Sequence, residues 1–149
     1  MSGATERVLI KRVYNKPALS DGTRVLVDRL WPRGLSKNRA ALDSWLRDLA
    51  PSDELRRWYH GHPEHWSDFR KKYLRELSRP EATAALDQLY RYAHETKPLT
   101  LLFASKNEER NNAVVLKEFL SGLRKPPTGT GPAGARAARH RQAKRMPRQ

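Results

Sequence analysis

The sequence predicts a small α/β domain with a mostly parallel sheet, followed by a disordered basic C-terminal tail. Short apolar runs alternate with amphipathic segments over residues 1–125, and this alternation is typical of parallel strands connected by helices. After Lys125 the composition changes, because residues 126–132 consist of Pro, Gly and Thr and the remainder is rich in Ala, Arg, Lys and Gln. We therefore predict one domain over 1–125 and a disordered Arg/Lys-rich tail over 126–149.

Three segments have the composition of strands. The first is the β-branched run from Val8 to Val13, and the second runs from Arg24 to Asp28 with a continuous apolar centre that predicts burial. The third, Leu99 to Ala104, is the clearest buried strand. The range 36–49 is ambiguous, because its apolar residues fit helical spacing and an extended chain alike.

Four segments have the pattern of amphipathic helices. Ser52 is a good N-cap for the first of them, and Gly61 marks its end. The sequence Ser78-Arg79-Pro80-Glu81 has the pattern of a capping box with Pro near the first helical position. The predicted helices cover 53–59, 63–77, a segment from about 80 to 93, and 113–123.

Composition limits the functional classes. The 149 residues include 30 Lys and Arg against 16 Asp and Glu, a net charge of +14, and eight basic residues but no acidic one lie in 124–149. There is no cysteine, which excludes disulfides, thiolate metal sites and cysteine nucleophiles. The N-terminus lacks a signal-peptide pattern, and no apolar run approaches the ~20 residues of a membrane helix. We expect a cytoplasmic protein with no membrane partner.

The segment Val27-Asp28-Arg29-Leu30-Trp31-Pro32-Arg33-Gly34 is the most informative stretch of the chain. It follows the second strand, and its Pro and Gly predict a stiff, sharply shaped loop. Two guanidinium groups on such a loop suit phosphate or carboxylate recognition. In the structural alternative, Arg29 pairs with Asp28 or Asp21, Trp31 fills the core, and Pro32 to Gly34 form an ordinary turn.

This segment, together with four further blocks, resembles the DUF488 family and within it the YeaO-like branch of small bacterial proteins. The resemblance covers about residues 7–124 and implies a compact, three-layer, Rossmann-like α/β domain. It assigns no activity and therefore no catalytic residue. The other matching blocks are Lys11-Arg12-Val13-Tyr14; Leu49-Ala50-Pro51-Ser52 with Glu54-Leu55-Arg56 and His60-Gly61; Phe69-Arg70-Lys71-Lys72-Tyr73; and Leu99 to Lys106 with Asn112 to Leu116.

The carboxyl ends of parallel strands meet at one edge of a sheet, where α/β domains hold ligands. Here that edge is predicted to bring together Tyr14, the loop 28–33, Ser105-Lys106 and Asn111-Asn112. The last helix would begin beside them, and its free N–H groups favour an anion. In the predicted site, the anion is bound by Arg29, Arg33 and Lys106, oriented by Asn112 and walled or stacked by Trp31.

Structural interpretations of the same residues remain open. Asn111 or Asn112 can simply be the N-cap, and Lys106 can be solvated beside Glu108 or Glu109. Asp28 is the most plausible general base in the site. We expect the neighbouring guanidinium groups to lower its pKa, and this favours a structural role for the carboxylate.

The histidines at 60, 62 and 65 surround Pro63 and Glu64, a composition that suggests a metal site. Because Pro63 is predicted to begin a helix, we expect the side chains to diverge, and no metal site or cofactor is predicted. His60 lies in a block that matches the family and is kept as a candidate pocket residue.

Two functions compete at this level. In the first, the domain binds a small phosphate-bearing or nucleotide-like ligand at the predicted edge. In the alternative, the protein is a nucleic-acid-associated module, and the basic residues of 136–148 neutralise phosphates without reading sequence. A solubilising tail explains the same charge. The basic residues of the 63–77 helix are interpreted as a solvated face.

Overall fold

The computed structural model describes residues 7–123, and its centre is a sheet of four parallel strands. These are β1 (Val8–Arg12), β2 (Thr23–Leu26), β3 (Ser44–Trp45) and β4 (Leu99–Phe103), arranged in the order β1-β4-β2-β3. The predicted α/β class and parallel sheet are confirmed. The predicted tail lies outside the described residues.

Within residues 7–123, five α-helices accompany the sheet: α1 (Lys37–Ala40), α2 (Asp53–Gly61), α3 (Trp66–Leu77), α4 (Pro80–Ala93) and α5 (Asn112–Ser121). The ambiguous range 36–49 contains both a helix and a strand. Ser36 caps α1 through its side chain, and Ala41 ends the helix in the left-handed conformation, with φ of 49°. The chain then enters β3.

One predicted helix start and one predicted helix cap are wrong. The second long helix, α3, begins at Trp66 rather than at Pro63. Ser78 does not open α4 with a capping box, because its hydroxyl donates to the carbonyl oxygen of Leu74 in the preceding helix. Arg79 is the N-cap of α4 and makes no side-chain cap hydrogen bond, while Pro80 stands at the first helical position as predicted.

The two faces of the sheet carry apolar layers of unequal size. Leu101 and Phe103 of β4 point to one face and pack with residues of α2, α3, α4 and α5. Leu102 points to the other face, where residues of the segment 31–42 and Trp45 form a smaller cluster. The alternation of side chains along β4 therefore builds both layers of the core.

A buried ion pair joins β2 to the turn before it. The Asp21 carboxylate accepts hydrogen bonds from Arg24 Nη1 at 2.6 Å and from Lys11 Nζ at 3.0 Å. Arg24 also donates to the carbonyl oxygens of Ala40 and Ala41, at the end of α1. Asp21 is therefore engaged by Arg24 and Lys11 and not by Arg29. No helix within 7–123 is both long and apolar enough to cross a bilayer.

Candidate anion-binding cleft

A cleft of about 610 Å³ opens at the carboxyl ends of β1, β2 and β4. Its walls come from the loop 28–33, the segment 104–112, residues 50–51 before α2, and one face of α2 itself. Every residue proposed from the sequence lines it: Tyr14, Asp28, Arg29, Trp31, Arg33, His60, Lys106 and Asn112.

Arg29 ties the loop after β2 to the start of α2. Its Nε donates to the carbonyl oxygen of Pro51 at 3.2 Å, and its Nη2 donates to that of Ala50 at 3.4 Å. The pairing with Asp28 or Asp21 that the structural alternative offered is not formed. Arg29 is half-buried in the cleft wall, and these two bonds determine where its charge lies.

Arg33 lies at the mouth of the cleft on a backbone that Tyr14 holds. The Tyr14 hydroxyl donates to the carbonyl oxygen of Arg33 at 2.8 Å, and the guanidinium of Arg12 lies 4.9 Å from the centre of the Tyr14 ring. Arg12 in turn donates to the carbonyl oxygens of Ala104 and Ser105, each at 2.9 Å. The ends of β1 and β4 and the Arg33 loop are thereby connected.

The side chains of Arg33 and Lys106 are exposed cations. Among the residues that the structure describes, no carboxylate forms an ion pair with either of them. Lys106 is solvated, as the structural interpretation expected, but it is not paired with Glu108 or Glu109. Both charges are available to a ligand in the cleft.

Asp28 connects three elements at the inner end of the cleft. One carboxylate oxygen accepts from the backbone N–H of Ala104 at 2.8 Å, and the other accepts from the Asn112 amide at 3.1 Å. Asn112 also donates to the carbonyl oxygen of Val27 at 2.8 Å, so the ends of β2 and β4 and the start of α5 are joined. Asn111, not Asn112, is the N-cap, since its side chain accepts from Val114 N–H.

The expected lowering of the Asp28 pKa is wrong. Burial raises the pKa of this carboxyl, and the hydrogen bonds from Ala104 and Asn112 only partly oppose that rise. The expectation failed because the Arg29 guanidinium is directed to the carbonyl oxygens of Ala50 and Pro51 and not to Asp28.

Trp31 belongs to the core as well as to the cleft wall. Its indole N–H donates to the carbonyl oxygen of Leu35 at 2.6 Å, and its ring meets Trp45 edge-on with centroids 5.4 Å apart. Both rings pack on the smaller apolar cluster. The sequence presented core filling and ligand contact as alternatives, but this position permits both.

Of the three clustered histidines, only His60 lines the cleft. His62 and His65 lie with ring centroids 5.9 Å apart, and each contacts Trp58. The expected divergence is wrong for this pair because α3 begins after His65. Within 7–123, no group of three or more His, Cys, Asp or Glu side chains is arranged to hold a metal.

Sequence reasoning missed part of the cleft wall. Arg56 and Tyr59 of α2 line it beside His60, and Arg110 lines it from the loop before α5. Their helical spacing could have placed Arg56, Tyr59 and His60 on one face of α2, but not that face over the strand ends. The wall thus has five basic side chains and one carboxylate, which are Arg29, Arg33, Arg56, Lys106, Arg110 and Asp28.

Comparison with known proteins gives a family and close relatives. A family model described as the inactive DUF488-N3 subclade matches residues 7–129. The chain is 45% identical to the uncharacterised protein YeaO of Escherichia coli (strain K12) over 115 residues, which are 76% of this chain and 96% of that protein. It is 41% identical to the uncharacterised protein Rv3073c of Mycobacterium tuberculosis (strain H37Rv) over 116 residues, 78% of this chain and 95% of the relative. No solved structure matches the chain significantly.

Proposed function

Because this chain belongs to the DUF488 family, in its YeaO-like branch, and carries a basic cleft at its strand ends, we propose that it binds a small phosphate-bearing anion there. The single observation that carries the proposal is the charge of the cleft wall. Five basic side chains and one carboxylate line the cleft; Arg56 is ion-paired with Asp53 at 2.5 Å, which leaves the charges of Arg29, Arg33, Lys106 and Arg110 facing a carboxylate that already accepts hydrogen bonds on both oxygens. An anion is the ligand that such a wall stabilises.

Size and composition of the cleft favour a nucleotide-like ligand over inorganic phosphate alone. About 610 Å³ is within the range of pockets that enclose small organic molecules. Aromatic rings of Tyr14, Trp31 and Tyr59 lie in the same wall as the cations. A ligand with a planar apolar part and a phosphate would use both kinds of surface.

The cleft residues have different roles in this proposal. Arg33 and Lys106 neutralise the anion from the mouth, and Arg29 adds charge from the wall. Asn112 holds the Asp28 carboxylate in place at the inner end of the cleft through a hydrogen bond. The N–H groups of the first turn of α5 favour a negative charge next to this end of the cleft.

The proposed function is binding and not turnover. Asp28 is the only carboxylate among the described residues of the wall, and both of its oxygens already accept hydrogen bonds, from Ala104 N–H and the Asn112 amide, as in a structural bridge. The description of the matching subclade as inactive points the same way.

The second candidate function is nucleic-acid association through the tail. It is supported by the eight basic residues and absence of acidic ones in 124–149, which can neutralise phosphates without reading sequence. Deletion of 126–149 separates the two candidates. Cleft binding survives the deletion and is lost in Arg33→Ala, whereas tail binding shows the reverse.

A thermal-shift titration of the full chain tests the cleft. Adenosine monophosphate, ribose 5-phosphate and inorganic phosphate are compared on the wild type, Arg33→Ala and Lys106→Ala. Arg39→Ala is the matched control, because Arg39 is exposed on α1 outside the cleft. We expect saturable stabilisation of about 2.7 kcal/mol at 100 times the Kd, retained in the control and lost in both cleft variants. Absence of stabilisation by every compound would contradict the proposal.

A further inference from the structure

A second basic surface lies on the other side of α2, and the proposed ligand of the cleft does not use it. It is a groove of about 300 Å³ between α2 and α3, and we refer to it as the α2–α3 groove. Leu55 and Trp58 of α2 line this groove, whereas Arg56, Tyr59 and His60 of the same helix line the cleft. One helix thus separates two depressions.

Three cations stand in a row along one wall of the groove. Lys72 and Arg75 are on one face of α3, and Arg79 follows just beyond the end of that helix. At a rise of 1.5 Å per residue, a row from 72 to 79 is about 10 Å long. Such a length matches successive anionic groups along a chain better than a single phosphate.

The described part of the chain offers these cations no ion-pair partner. Within 7–123, none of Lys72, Arg75 and Arg79 forms an ion pair, although two carboxylates line the same groove. Glu76 accepts from the Ser52 backbone N–H at 2.8 Å and from its hydroxyl at 2.6 Å, so both of its oxygens are engaged. Glu54 is exposed in the first turn of α2, where the helix dipole favours an acid.

An aromatic ring completes the groove. Trp58 is half-buried in it, and the Lys72 ammonium lies 5.2 Å from the centre of the indole ring. This contact holds one charge of the row at the groove. A positively charged groove is the surface that tracks the backbone of single-stranded nucleic acid, and the Trp58 ring, already stacked on His62, contributes by holding Lys72 and not by stacking a base.

We propose that the α2–α3 groove binds the phosphate backbone of single-stranded nucleic acid through Lys72, Arg75 and Arg79. This surface belongs to the folded domain and is distinct from both the tail and the cleft. The proposal does not require that the cleft bind a small ligand. It replaces the interpretation of this face of α3 as merely solvated.

The test measures the affinity of the full chain for a fluorescent single-stranded 12-mer at several salt concentrations. The groove variant is Arg75→Gln/Arg79→Gln, and the control is Lys71→Gln/Lys97→Gln, which removes the same charge from exposed positions outside the groove. Each lost phosphate contact lowers the slope of log K against log salt by about 0.7. We expect the magnitude of this slope to fall by about 1.4 in the groove variant and to stay unchanged in the control.

For a third variant we expect a change of the opposite sign in the affinity for the 12-mer. Glu54→Gln removes the exposed carboxylate of the groove, and we expect tighter binding of the 12-mer, an effect that misfolding cannot produce. Equal losses in the groove and control variants, or no gain in Glu54→Gln, would overturn the proposal. Binding of poly-glutamate with the same dependence on Arg75 and Arg79 would overturn the assignment to nucleic acid. The mononucleotide titration of the cleft is a separate measurement, so each proposal can fail alone.

Discussion

The Tyr14 hydroxyl donates a hydrogen bond of 2.8 Å to the backbone carbonyl oxygen of Arg33. The bond connects the residue that closely follows β1 to the loop that follows β2, across 19 positions of chain. Arg12 packs on the Tyr14 ring and is itself held by the carbonyl oxygens after β4. The position of the Arg33 backbone, and with it the origin of the Arg33 side chain, therefore depends on Tyr14.

Tyr14→Phe removes this hydrogen bond and keeps the ring. We expect the Kd for a mononucleotide to rise about fivefold, because one hydrogen bond contributes about 1 kcal/mol. Isothermal titration calorimetry of Tyr14→Phe in the wild-type and Arg33→Ala backgrounds forms a double-mutant cycle. If Tyr14 acts by placing Arg33, its effect disappears when Arg33 is Ala. The same loss in both backgrounds would contradict that role.

Because of Asp28, we expect the stability of the fold to decrease as the pH rises. Burial raises its pKa in the folded state, so its neutral form favours the fold and its ionised form opposes it. The stabilisation from protonated Asp28 is fully present below the pKa of about 3.9 that the carboxyl has in the unfolded chain, and it is lost as the pH rises through the pKa in the folded state. We expect the free energy of unfolding of the wild type, relative to Asp28→Asn, to fall over that range in urea titrations. A relative stability that grows with pH would contradict the raised pKa.

Asp21 links pH to stability in the opposite direction. Burial raises its pKa, but the hydrogen bonds from Ala18, Lys11 and Arg24 together outweigh burial and leave the pKa lowered. The stabilisation is present above the unfolded pKa and is lost as the pH falls through the folded pKa. We expect Asp21→Asn to cost about 3 kcal/mol at pH 7, since it leaves Arg24 buried without its charge partner. The cost should shrink in acid, and urea denaturation at pH 7 and pH 3 measures it.

Position 22 requires glycine because of its backbone conformation and because a side chain there would collide with neighbouring atoms. Its φ is 65°, and a Cβ atom there would lie 2.1 Å from the carbonyl oxygen of Pro98. We expect Gly22→Ala to lower the free energy of unfolding by about 4 kcal/mol or to prevent folding. Gly61→Ala is the matched control, because a Cβ atom at that position would have no neighbour within 4 Å, and it should change stability by at most about 1 kcal/mol. Similar losses in both variants, measured by thermal unfolding, would contradict this explanation.

Much of the fold could be predicted from local pattern. The continuous run from Leu99 to Ala104 predicted a buried strand, observed at Leu99–Phe103, and Ser52 with Gly61 predicted the limits of α2. The range 36–49 could not be assigned, because a non-glycine residue in the left-handed conformation, Ala41, divides it. Ser78 was assigned to the wrong helix because its hydroxyl can serve the helix before it as well as the one after it.

The cleft could be predicted only where chain topology determines it. Parallel strands place Tyr14, the loop 28–33 and Lys106 at one edge, whatever their side-chain orientations are. The docking of α2 over that edge is a tertiary event, so the contributions of Arg56 and Tyr59 were missed. The direction of the Arg29 guanidinium, and hence the pKa of Asp28, also depends on that docking.

The place of β4 in the sheet has a consequence for biosynthesis. β4 lies between β1 and β2, so these two strands share no hydrogen bonds and each waits for residues 99–103. A nascent chain that has been translated only as far as Pro98 has no partner for β1 and can pair β2 only with the two residues of β3. At about 5–20 residues per second, β1 stays without its strand partner for seconds. Pairing of β1 therefore requires that residues 99–103 have been translated.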